Sequence, residues 1–170
     1  MSFQEKLENF PFSIRQVNEN FCIPASVEAV TKYFKRDSNV NQEYIWNAFV
    51  KYCAAKNRNP TNINLAWMKE LIDVDPAFRW AESRDGGAKD FHTLFEYSKK
   101  GIDDRFPHII SVPIGNGRYH MLTIVGYDKT NFYVHDPDPH AVPNPHTISI
   151  NQLQSILSDK GTDYLVLYPK

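Results

Sequence analysis

Cysteine is scarce in this chain, with Cys22 and Cys53 the only two among 170 residues. They form no Cys-x-x-Cys pair, which argues against a thiolate zinc cluster, and at most one bridge is open to them, which excludes a disulfide-stapled scaffold. An excess of charge of one sign is also lacking. The 19 Lys and Arg against 20 Asp and Glu leave a net charge of −1 with His neutral. Such a balance provides no field to gather nucleic acid or an anionic membrane surface. No stretch reaches the roughly 18 apolar residues that a membrane span needs. Met1 to Phe12 is polar and mixed in charge, without the apolar core of a secretory signal. The expectation is therefore a cytoplasmic protein by default, with export by a signal-independent route left open. No nucleic-acid partner and no membrane span are expected, and composition does not specify the oligomeric state.

What the chain does have is material for a core. Hydrophobic residues make up 42%, including 11 Phe, 9 Tyr and 3 Trp, and the length suits one domain over residues 1–170. Neither an internal repeat nor a low-complexity linker divides it. The periodicity changes along the chain, however. Residues of about 13–101 read as a helical half. Val27, Val30 and Phe34 follow Pro24-Ala25-Ser26 at near-helical spacing, and further helices are predicted over about 42–55, 63–72 and 90–100. Asp90 is the expected N-cap of the last and Gly101 its C-cap. Residues of about 107–168 read as a sheet half. A strand over 108–114 ends in Gly115-Asn116-Gly117, a return strand covers 118–127, and Phe132 to Asp136 forms a third. A short strand at 147–150, one or two helical turns at 151–157 and a final strand at 164–168 follow. Helices first and an antiparallel meander second predict an α+β domain.

Four residues are the candidates for carrying chemistry. Cys22 stands at the opening of the first helix, where the partial positive charge of a helix N-terminus favours a thiolate, the reactive form. The plain alternative is a small apolar residue buried under the helix. Gln16, six residues earlier, lies on the loop leading into that helix. Its amide can fold back to donate to an oxyanion, and otherwise it is a solvated loop residue. His120 begins the wet end of an apolar strand and shares a face with Leu122 and Ile124 by alternation. A hairpin centred on Asp128 to Asn131 brings Asp136 close to it, within reach of a bulge. A carboxylate there can hold the imidazole and set its tautomer. His135 alternates to the opposite face and is a poor partner for that site. His92, His108, His140 and His146 are scattered without metal-ligand spacing, so neither a metal nor another cofactor is expected. Trp46, Trp67 and Trp80 read as core or cleft wall.

In order, Gln16-x₅-Cys22, His120 and Asp136 make a constellation that resembles the papain-like cysteine peptidases, and more closely the bacteriocin-leader-processing peptidases and their stand-alone relatives. The matching pieces are Gln16-Val17-Asn18-Glu19-Asn20-Phe21-Cys22-Ile23-Pro24-Ala25-Ser26, then His120-Met121-Leu122-Thr123-Ile124-Val125-Gly126-Tyr127-Asp128, then Tyr133-Val134-His135-Asp136-Pro137. The resemblance spans about Ser13 to Tyr168. It departs at Phe21, where the leader-processing enzymes tend to carry Asp, and at Ile23, a position often held by Gly. It implies a papain-like fold, a peptide or protein substrate, and roles for the four residues. Cys22 is the nucleophile, Gln16 the oxyanion donor, His120 the general base and acid, and Asp136 the orienting acid. The implied reaction is hydrolysis of a peptide or amide bond through a thioester. The same set also serves glutamine deamidation or acyl transfer to an amine, and the fold alone can persist as a non-catalytic binding module.

Overall fold

The computed structural model describes residues 5–88, 90–157 and 162–170. Its helices are α1 (Cys22–Phe34), α2 (Gln42–Ala55), α3 (Leu65–Val74), α4 (Phe91–Asp103) and α5 (Ile150–Leu157). Its strands are β1 (Glu5–Lys6), β2 (Ala81–Ala88), β3 (His108–Gly115), β4 (Arg118–Tyr127), β5 (Asn131–His135), β6 (His146–Ser149) and β7 (Thr162–Pro169). The architecture is α+β, as the change of period predicts.

Local chemistry sets most helix starts. Asn41 caps α2 by accepting from the Tyr44 N–H at 2.9 Å, and Asn64 caps α3 by accepting from the Trp67 N–H at 2.9 Å. Asp90 caps α4 through the Thr93 N–H at 2.8 Å, as expected. The end of α4 differs from expectation. Gly101 is interior, and the helix runs on to Asp103. The glycine is there for space, because a Cβ on it would fall on the His108 ring and 2.9 Å from the Phe106 carbonyl oxygen. Along α2 the residues Ile45, Phe49 and Cys53 recur every four positions and are fully buried. The first helix is different in kind: Ile23 through Thr31 are buried without a break, so α1 runs through the interior.

The strands form one antiparallel sheet in the order β2-β7-β3-β4-β5-β6, with β1 paired to the end of β4 at Gly126 and Tyr127. The hairpin between β3 and β4 turns at Gly115-Asn116-Gly117, with φ of 96°, 55° and 70°, values that favour these residue types. Along β4, Met121 to Tyr127 are all buried, which means helices cover both faces of the strand. His120 stands at the start of that run, where the exposed end of β4 enters the core.

One strand breaks the division into a helical and a sheet half. Ala81–Ala88 was expected among helices but forms β2, which pairs along its length with β7 at the sheet edge. Its sequence, Ala-Glu-Ser-Arg-Asp-Gly-Gly-Ala, has little β-propensity and no apolar alternation. The partner strand imposes the pairing.

Candidate active site

Cys22 is the first residue of α1 and is half-buried. Phe21 precedes it at the cap position and provides no side-chain acceptor. Pro24 lacks an N–H, and the Ala25 N–H donates to the Phe21 carbonyl at 2.8 Å. Cys22 and Ile23 are thus the first-turn residues whose N–H groups no side chain caps, and the helix dipole adds to them. Ser26 donates its hydroxyl to the Cys22 carbonyl at 2.7 Å, which ties the residue to the next turn. Phe21 also stacks on Trp46 at 5.4 Å between centroids, anchoring this helix end against α2.

From the sheet, His120 Nε2 donates to Asp136 Oδ1 at 2.6 Å, with both side chains mostly buried. The Cys22 side chain lies near enough to the ring to act on its titration. Because Nε2 is committed to the carboxylate, Nδ1 is the nitrogen left for the sulfur. Burial by itself would depress the imidazole pKa. The hydrogen bond to Asp136 and the neighbouring Cys22, with the charges of both, outweigh it and raise the value from 6.5 to about 10. Asp136 is fixed from its backbone as well. Its N–H donates to Asn144 Oδ1 at 3.1 Å, while Asn144 Nδ2 donates to the Phe12 carbonyl at 2.9 Å. The Asp138 N–H donates to the same carboxylate oxygen at 2.9 Å.

Gln16 lies on the loop that runs into α1. Its side-chain amide donates to the carbonyls of Asn18 and Glu19 at 3.2 and 3.3 Å, and its Oε1 is buried with no partner among the described residues. Its own backbone N–H donates to the Pro137 carbonyl at 2.8 Å. The Gln16 loop is thereby joined to the residue after Asp136.

The remaining candidates lie elsewhere. Cys53 is fully buried on α2, where burial raises its thiol pKa. It is a free thiol, as is Cys22. His135 faces away from Asp136 and is wholly buried. Its Nε2 donates to the Ile14 carbonyl at 2.8 Å, and burial lowers its pKa to about 4. Trp46, Trp67 and Trp80 pack against the core as wall residues. One residue that sequence reasoning passed over is Gln42. It is buried in the first turn of α2 and bonded to the Gln16 loop. A glutamine in a helix first turn is ordinarily solvated, and nothing local distinguishes this one.

A helix-borne cysteine set against an imidazole from an antiparallel sheet, within an α+β architecture, is the arrangement of the papain-like cysteine peptidase fold. The chain belongs to the Peptidase_C39 like family, whose model matches residues 7–154. Among solved structures it is similar to the peptidase domain of Streptococcus ComA, a bi-functional ABC transporter involved in a quorum sensing pathway. That match has a TM-score of 0.66 and 22% identity, and covers 92% of this chain and 97% of that one. A putative C39-like peptidase from Bacillus anthracis matches with a TM-score of 0.60 and 14% identity, over 99% of this chain and 100% of that one. At these identities the likeness is one of fold. None of the curated protein sequences matches. Among the described residues no helix is long and apolar enough to cross a membrane.

Proposed function

We propose that this protein is a cysteine peptidase that hydrolyses a peptide or amide bond through a thioester on Cys22. The Cys22 sulfur attacks the carbonyl carbon. The oxyanion so formed accepts from the Gln16 side-chain amide and the Cys22 backbone N–H. Gln16 currently spends its donors on bonds of 3.2 and 3.3 Å to neutral carbonyls. An oxyanion is a stronger acceptor and would displace them. His120 gives its proton to the leaving amine, then takes one from water as that water attacks the thioester. Asp136 holds the ring in the orientation and tautomer both steps need.

The observation that carries this reading is the shared imidazole: His120 is hydrogen-bonded to Asp136 at 2.6 Å and stands close enough to Cys22 for the sulfur to act on its titration. A structural histidine has no need of both. The test is a fluorogenic peptide library assayed with wild type, Cys22→Ala and Gln16→Ala. Cys22→Ala is expected to abolish turnover. Gln16→Ala is expected to keep a residue of it, about 100- to 1000-fold reduced, as for loss of one oxyanion donor. Iodoacetamide near neutral pH is expected to label Cys22 well ahead of buried Cys53. Turnover surviving in Cys22→Ala, or equal slow labelling of both thiols, would overturn the reading.

A further inference from the structure

Gln42 grips the chain on either side of Gln16. Its Oε1 accepts from the Val17 N–H at 2.9 Å, and its Nε2 donates to the Arg15 carbonyl at 2.8 Å. In an extended chain the carbonyl of one residue and the N–H two positions on point the same way. One side-chain amide thus supplies the donor and acceptor that a neighbouring strand would supply. On the opposite edge the Gln16 N–H is held by the Pro137 carbonyl at 2.8 Å. Gln16 is therefore pinned from both sides, although it belongs to no sheet.

The grip is itself anchored. The second hydrogen of Gln42 Nε2 reaches Glu28 Oε2 at 3.2 Å, and Glu28 is paired with Lys32 at 2.7 Å. Glu28 belongs to α1, the helix that begins at Cys22. Gln42 and Glu28 are each only 6% exposed. Burying a glutamine and a carboxylate together is costly unless their hydrogen bonds are met, and here all three polar hydrogens and acceptors of the Gln42 amide in use have partners. The network connects the Cys22 helix, the Gln16 loop and, through Pro137, the chain beside Asp136.

We infer that Gln42 is the positioning residue for the oxyanion site, setting where the Gln16 amide stands relative to the Cys22 sulfur. This rests on the reading of Gln16 given above. Gln42 touches neither substrate nor the reacting atoms. It acts by holding the backbone at Arg15 and Val17, and a misplacement of about 1 Å in such a donor is worth about 100-fold in rate.

Two reactions of the Cys22 thiol separate this role from a structural one. Acylation by p-nitrophenyl acetate forms a C–S bond through a tetrahedral oxyanion and expels p-nitrophenolate. Alkylation by iodoacetamide displaces iodide at a saturated carbon and forms no oxyanion. Gln42→Met, which keeps the volume and removes the three bonds, is expected to slow acylation about 100-fold and leave alkylation unchanged. In a Gln16→Ala background the same substitution should cost nothing further in acylation. Gln42→Asn keeps the amide one methylene short and should show the same selective slowing, about tenfold, should Gln42→Met fail to fold. Mass spectrometry assigns each adduct to Cys22 or Cys53.

Equal slowing of both reactions, or an additive loss in the Gln16→Ala background, would make Gln42 a fold residue and overturn the inference. Unchanged acylation in folded Gln42 variants, with Gln16→Ala still slow, would overturn it and leave the oxyanion reading standing. Unchanged acylation in Gln16→Ala would remove the oxyanion reading itself.

Discussion

Asp136 shares a face with His120 only because β4 carries an extra residue between Ile124 and Gly126. Near the turn, Tyr127 pairs with Phe132 and Gly126 with Tyr133. Continued without a break, that register would set Asp136 opposite Thr123, whose side chain points away from His120. Past the bulge the pairs are Ile124 with Val134 and Thr123 with His135. Asp136 then falls opposite Leu122, on the His120 face. A one-residue slip reverses every side chain beyond it, and here it gives the imidazole its carboxylate.

This pairing has a titration consequence. The folded state holds the His120 proton up to about 10 against an ordinary 6.5. Between those values the folded chain binds more protons than the unfolded one. The stabilisation is thus complete below the lower value and is lost as pH rises through the upper one. Asp136→Asn removes the main opposing charge, so the His120 pKa should fall and the alkaline loss of stability should begin at lower pH. Histidine NMR titration and urea unfolding across neutral to alkaline pH measure both. A His120 pKa unmoved by the substitution would contradict the account.

The acid side belongs to different histidines. His108 and His135 are buried, and that burial lowers each pKa to about 4 against the partial opposition of backbone carbonyls. Between about 4 and 6.5 the unfolded chain takes up protons that these rings refuse in the fold. Stability should therefore decline as pH drops through that window. His108→Gln, retaining a polar group but no titration, should make the decline shallower by about one proton. Denaturant midpoints at several pH values test it, and an unchanged slope would exclude His108 as a contributor.

Gly101→Ala tests packing alone. The added methyl meets the His108 ring and the Phe106 carbonyl, and both glycine and histidine are buried. Alanine favours a helix interior by about 1 kcal/mol over glycine. Overpacking typically costs about 1–3 kcal/mol, so a net loss is expected. Chemical denaturation should show a lower midpoint at unchanged slope, and a stabilised variant would refute the contact.

Much of this was legible from local pattern. The helices over 42–55 and 91–103 announce themselves through Asn and Asp caps and through apolar residues repeated at helical spacing. The hairpin of β3 and β4 follows from Gly-Asn-Gly between two β-rich runs. Gly101 was misread, because a glycine marks a helix end and a close approach with the same letter. β2 was missed because an edge strand held by its neighbour needs no alternation of its own.

By itself the sequence determined the elements and the residue types that could react. Period, caps and turn glycines act within a few residues, so they leave their mark in the linear chain. Only the tertiary structure decided which groups meet: the bulge that turns Asp136 toward His120, the Cys22 contact across helix and sheet, and the Gln42 amide on the Gln16 loop. Those contacts join residues far apart in the chain, and their geometry depends on how the whole core packs.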